Sequence, residues 1–182
     1  MKIGIIVGSI REGRKGVLVG RWVEAVARGH LDHDVALLDL KEFDVPLLTT
    51  SILPATAEKK YDSENTQSWS TAVDGCDAFV FVTPEYNHGV PGAFKNAVDS
   101  LGPEWTGKAV GFVSYGANDG VRAVEQWRQI VANFQMNDIR AQVALSVFFE
   151  FGEDGSFTPN ERREGELKAL LDQLAATDAR GC

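Results

Sequence analysis

The stretch Ile3-Gly4-Ile5-Ile6-Val7, running into Gly8-Ser9-Ile10-Arg11-Glu12-Gly13-Arg14-Lys15-Gly16, decides how this chain folds. An apolar run without polar interruption reads as a strand buried on both faces, the pattern of a parallel sheet. Past the glycine-rich turn, residues 17–28 carry Val19, Trp22, Val23 and Val26 at helical spacing. Strand, turn and helix then recur along the chain. Further strands are expected at 35–40, 78–82, 109–113 and 139–149. The end of a short helix is expected at 67–73. Another helix is expected from Pro91, with Ala93, Phe94, Ala97, Val98 and Leu101 on one face. Two more are expected at 121–134 and 159–176.

Five β units separated by helices imply an α/β fold, a doubly wound parallel sheet with helices on both faces. Five strands favour the flavodoxin-like order 2-1-3-4-5 over the dinucleotide-binding order. Internal repeats, low-complexity tracts and composition breaks are lacking, so residues 1–182 read as a single domain. One segment departs from the short-loop pattern. Residues 41–64 carry Pro46, Pro54 and several Ser and Thr without periodicity. A meandering surface connection, a subunit contact and a wall of the active site all fit it.

Composition narrows the function classes. The chain has 182 residues, 44% apolar and 24% charged, as in ordinary globular domains. Its formal charge of -8 leaves it poorly placed to neutralise a nucleic-acid backbone, so no nucleic-acid partner is expected. Cys76 and Cys182 form neither a disulfide framework nor a ligand cluster. The amino-terminal apolar run is too short for a secretory signal, and no run approaches the roughly 20 residues of a membrane helix. A cytoplasmic protein off the membrane is the expectation.

Ligands of open α/β sheets bind beyond the carboxyl ends of the strands, which singles out three loops. The first, Gly8 to Gly16, leads into a helix whose free N–H groups attract phosphate; Ser9 adds a hydroxyl and Arg11 a planar guanidinium. It is not a dinucleotide fingerprint, because Ile10 stands where glycine is needed. Nor is it a P-loop, because Arg14-Lys15 follow Gly13. A phosphate turn of another type remains, with a solvated basic turn as the plainer alternative. The second loop is Thr83-Pro84-Glu85-Tyr86-Asn87-His88-Gly89-Val90-Pro91-Gly92. Its prolines and glycines fix the backbone, and Tyr86 can lay a ring beside a planar ligand. The third, Ser114-Tyr115-Gly116-Ala117-Asn118-Asp119-Gly120, is small enough to lie close against a ligand's edge.

Gly8-Ser9-x-Arg11, Pro84-Glu85-Tyr86-Asn87 with Pro91-Gly92 and Lys95-Asn96-Ala97-Val98-Asp99, and Ser114-Tyr115-Gly116 together resemble the NADPH-dependent FMN reductase family. The likeness runs from residue 1 to about 150, and Pro-Glu-Tyr-Asn is its most specific part. It implies non-covalent FMN, with Ser9, Arg11 and the amides of Lys15, Gly16 and Val17 at the phosphate. It implies Pro84, Glu85, Tyr86 and Asn87 at the isoalloxazine, and Ser114, Tyr115 and Gly116 over its pyrimidine side. It further implies NADPH or NADH as donor and a homodimer or homotetramer. The acceptor would be small: a quinone, a flavin, an azo compound or a metal oxyanion. One departure is Asp119-Gly120, where the family often has Gly-Gly. The rival class is a flavodoxin-type carrier or regulator, against which stand Arg11, Arg14 and Lys15 in the first loop. Arg14 or Lys15 would meet either the flavin phosphate or a nicotinamide 2′-phosphate.

The remaining chemistry-bearing residues read as structural. His30 and His33 flank a solvated turn without further metal ligands nearby. Trp22, Trp69, Trp105 and Trp127 read as packing residues, and Glu85 as a possible partner across a subunit contact. No general base is required by hydride transfer, so no catalytic side chain is nominated.

Overall fold

The computed structural model describes residues 1–177. Strands β1 (Lys2–Val7), β2 (Asp34–Asp39), β3 (Ala78–Pro84), β4 (Ala109–Gly116) and β5 (Asn137–Ser146) form one parallel sheet. Their order is β2-β1-β3-β4-β5, the flavodoxin-like winding expected from the sequence. The helices are α1 (Gly16–His30), α2 (Leu40–Phe43), α3 (Glu64–Asp74), α4 (Gly92–Asp99), α5 (Val121–Asn133) and α6 (Glu161–Ala175).

Successive side chains of a strand point to opposite faces, so each buried strand feeds two cores. Ile3, Ile5, Val80, Val82 and Val113 pack with Val19 and Val23 of α1 and Leu167, Leu170 and Leu174 of α6. On the other face Ile6, Phe79, Phe81 and Phe112 pack with Trp69 of α3, Phe94 of α4 and Trp127 of α5. This second core is aromatic: the Phe81 ring lies 4.9 Å from Phe94 and 5.5 Å from Trp127 between centroids. Burying an indole requires a partner for its N–H. Trp69 donates to Ala97 O at 2.9 Å, Trp105 to Val98 O at 3.1 Å and Trp127 to Thr83 Oγ1 at 3.0 Å. The tryptophans are packing residues as expected; Trp22 sits half-buried, edge-on to Phe157.

One stretch differs from the sequence expectation, and a second is tied down by distant side chains. The fifth strand ends at Ser146, three residues before the apolar run ends. There the Glu150 carboxylate accepts from Ser146 N at 2.6 Å and Glu150 N donates to Ser146 O, turning the chain out of the sheet. Phe148 and Phe149 are left 70% and 86% exposed. Residues 41–64 run along the surface largely without regular structure and are pinned by side chains of later elements. Asn96 of α4 donates to Pro46 O and accepts from Leu48 N, both at 2.9 Å. Tyr61 donates to the buried Glu104 carboxylate at 2.8 Å. Cys76 is buried, which pushes its thiol pKa up, and Cys182 lies outside the described residues. Among the described residues no helix is long and apolar enough to cross a membrane.

The sheet and the first loop meet at Gly8, whose N–H donates to Val82 O at 3.0 Å. A Cβ there would lie 1.9 Å from the buried Phe94 ring. Gly8→Ala is therefore expected to cost about 2 kcal/mol or more, roughly 4–8 °C in thermal midpoint. An unchanged midpoint would contradict this packing.

Candidate active site

The strand order sets the carboxyl ends of β1, β3 and β4 side by side, and the three loops close a cleft of about 310 Å3. Arg11, Lys15, Pro84, Tyr86, Tyr115 and Val147 are among its walls. Larger cavities of about 500 and 450 Å3 lie around residues 48–55 and 46–63. Neither is lined by residues at the carboxyl ends of β1, β3 or β4, where ligands of such sheets bind.

In the first loop, α1 begins at Gly16 without a side-chain cap and without an acid in its first turn. Its leading N–H groups therefore keep their partial positive charge for a ligand. Ser9 is 1% exposed, and its Oγ is the sole buried side-chain polar atom without a hydrogen-bond partner among the described residues. At Gly16 a Cβ would lie 2.3 Å from Ser9 Oγ and 2.6 Å from Tyr115 Oη, so two hydroxyls converge on the helix start. Burial pushes the Tyr115 phenol above its ordinary range, keeping it a proton donor at neutral pH. Ser9 is near enough to oppose that shift, yet its own Oγ stays without a well-formed partner. Arg11 is exposed and makes no ion pair among the described residues. Lys15 holds its ammonium 4.4 Å above the Phe151 ring. Val17 follows in the first turn of α1. Arg14 is drawn into a bidentate pair with Asp39.

The second loop turns sharply. Tyr86 N donates to Gly89 O at 3.1 Å and Gly89 N to Tyr86 O at 3.0 Å. Asn87 and His88 between them have φ of 49° and 66°, the left-handed pair of a type I′ turn. Tyr86 remains 37% exposed beside the cleft. Glu85 lines the cleft with its backbone turned to β4, donating from N to Tyr115 O at 3.1 Å. Its carboxylate accepts from Arg122 N at 3.1 Å and Arg122 Nη1 at 2.9 Å within the same chain. Gln126, one turn further along α5, donates to His88 O at 2.8 Å and accepts from Val90 N at 3.2 Å.

The third loop is closed by Ser114 Oγ, which donates to Asp119 O at 2.7 Å. Gly116 O accepts from Asp119 N and from Val147 N. Asp119 and Gly120 have φ of 60° and 74°. Asp tolerates that region better than most residues. At position 120 a Cβ would lie 2.8 Å from Tyr115 N, so only glycine fits. Of the residues singled out in the three loops, Arg11, Lys15, Pro84, Glu85, Tyr86, Tyr115 and Gly116 line the cleft, and Ser9 and Gly16 adjoin Tyr115, whereas Val17, Asn87 and Ser114 are not among its walls. The structure adds Asp39, Arg122, Gln126, Val147 and Phe151, none of which belongs to a recognisable local pattern. His30 lies 2.7 Å from Asp172, and no described cluster of three or more His, Cys, Asp or Glu could hold a metal ion.

Comparison with known proteins bears on the fold and the family. An NAD(P)H-dependent FMN reductase of Nectria sp. is 39% identical over 129 residues, 69% of this chain and 64% of that one. The chain thus spans just under two thirds of that relative's length. A quinone reductase of Pseudomonas putida is 29% identical over 188 residues, 96% of this chain and 92% of the other. The fold matches FerB, a flavoenzyme NAD(P)H:(acceptor) oxidoreductase from Paracoccus denitrificans. Its TM-score is 0.73 at 19% identity, covering 96% of this chain and 97% of that one. The profile of the NADPH-dependent FMN reductase family matches residues 1–150. The chain accordingly belongs to the NADPH-dependent FMN reductase family, oxidoreductases that work with FMN and NAD(P)H.

Proposed function

We propose that this protein binds FMN in the cleft and passes electrons from NADPH or NADH to a small acceptor: a quinone, a flavin, an azo compound or a metal oxyanion. The observation that carries the reading is the unpartnered, buried Ser9 Oγ beside an uncapped helix start. A buried hydroxyl without a partner is costly unless a ligand satisfies it, and a phosphate oxygen does so.

Ser9, Arg11 and the amides of Lys15, Gly16 and Val17 hold the phosphate in this reading. The Tyr115 hydroxyl, kept protonated by burial, offers a second donor beside Ser9 at the helix start. Pro84, Glu85, Tyr86 and Asn87 present backbone and one aromatic ring to the isoalloxazine, and Ser114 to Gly116 close on its pyrimidine edge. When bound, the flavin supplies the two-electron chemistry, accepting hydride from the nicotinamide and reducing the acceptor. The chain's own contribution is orientation by rigid loops, and no side chain has to move a proton. Among acceptors, a quinone is favoured by the likeness to a quinone reductase.

The protein acts in the cytoplasm as a homodimer or homotetramer in this proposal. Leu47, Ile52 and Leu53 are 76%, 53% and 69% exposed within one pinned segment, an apolar patch of the kind that subunit contacts cover. Leu53→Asp is expected to lower the mass measured by light scattering to that of one chain; an unchanged oligomer would place the contact elsewhere.

Initial rates measured with NADPH and a benzoquinone at varied concentrations are expected to give parallel double-reciprocal lines, as donor and acceptor use one cleft in turn. Intersecting lines would require both to bind together. No NAD(P)H oxidation with any of the four acceptor classes would overturn the proposal.

A further inference from the structure

Arg14 borders the cleft, yet its guanidinium is already engaged. Nη1 donates to Ser9 O at 2.6 Å and to Asp39 Oδ1 at 2.5 Å, and Nη2 donates to Asp39 Oδ2 at 2.6 Å. Both side chains are nearly buried, with 13% and 12% of their surface exposed. Asp39 is itself fixed, because it ends β2 and caps α2, accepting from Lys41 N at 3.2 Å. A rigid connection therefore runs from the start of α2 through Asp39 and Arg14 to the Ser9 carbonyl. Ser9 is the residue whose buried hydroxyl lacks a partner.

The charges point the same way. A bidentate arginine–carboxylate pair is neutral as a unit and geometrically strict. It adds little net attraction for an anion but fixes the direction of what it holds. Lys41 pairs with Glu12, and Arg122 with Glu85. Arg11 and Lys15 are the wall cations with no carboxylate partner among the described residues.

We propose that Arg14 and Asp39 are positioning residues for the phosphate of FMN: the pair anchors the Ser9 carbonyl and thereby aims the Ser9 hydroxyl at the start of α1, while Arg11 and Lys15 supply the charge. The inference rests on the FMN reading above. It assigns Arg14 a role through Ser9 and not through contact with phosphate.

Titration of flavin-free protein with FMN and with riboflavin, followed by flavin fluorescence, separates the possibilities. Arg14→Lys keeps the charge and loses the fork; Asp39→Asn keeps the shape and loses the pair. Each is expected to weaken FMN about tenfold or more while riboflavin, which has no phosphate, binds as to the wild type. If Arg14 touched the phosphate itself, Asp39→Asn would free it, and FMN would bind as tightly or more tightly; that result overturns the proposal. An equal loss for both flavins, with a lowered thermal midpoint, would show the pair supporting the fold alone and also overturns it. Asp39→Asn, nearly isosteric, keeps the test decisive should Arg14→Lys fail to fold. Wild-type protein that binds FMN no better than riboflavin would instead remove the phosphate reading on which the inference rests.

Discussion

A sheet buried on both faces has no room for polar chemistry along its strands. β3 and β4 are buried over their whole length, and β1 over all but Lys2. Every group able to meet a charged or planar ligand is therefore pushed to the strand ends. The order β2-β1-β3-β4-β5 decides which ends become neighbours. Because β1, β3 and β4 are adjacent, the glycine-rich first loop, a rigid aromatic loop and a small-residue loop converge without any long excursion of the chain.

Two elements outside those loops hold them in place. On α5, Arg122 grips Glu85, Gln126 clamps His88 and Val90, and Trp127 reaches Thr83 at the end of β3. One helix thus fixes both the aromatic loop and the strand that carries it. On the other side, the turn after β5 supplies Val147 to the Gly116 carbonyl and Phe151 beneath Lys15. That turn is in turn held by Glu150, whose carboxylate also receives Arg163 at 3.0 Å. The cleft is rigid because its supports are side chains anchored in packed helices.

The strands, the winding and the three loops were legible because each depends on local pattern: apolar runs, glycine-rich turns and helical spacing. The residues that proved illegible depend on tertiary proximity. Nothing near Arg14 in the chain announces that Asp39 will face it, so the pair could not be read from the sequence. The run Val147-Phe148-Phe149 read as strand because its chemistry is apolar, whereas Glu150 ends the strand through a bond that no periodicity encodes. Residues 41–64 read as an unpatterned loop because Asn96 and Glu104, which pin them, lie far along the chain. Asp119 stood out as a departure from a family pattern, and its positive φ now gives the physical reason that glycine suits the position.

The central claim is that the cleft at the ends of β1, β3 and β4 holds an FMN that NAD(P)H reduces. The most direct test is the visible absorption spectrum of the purified protein, incubated with FMN and freed of excess, before and after NADPH or NADH is added without oxygen. The account predicts a flavin band that bleaches on addition of the nicotinamide. A band that persists with both nicotinamides would make the protein an electron carrier or regulator, and the absence of any flavin band would contradict the account from its first step.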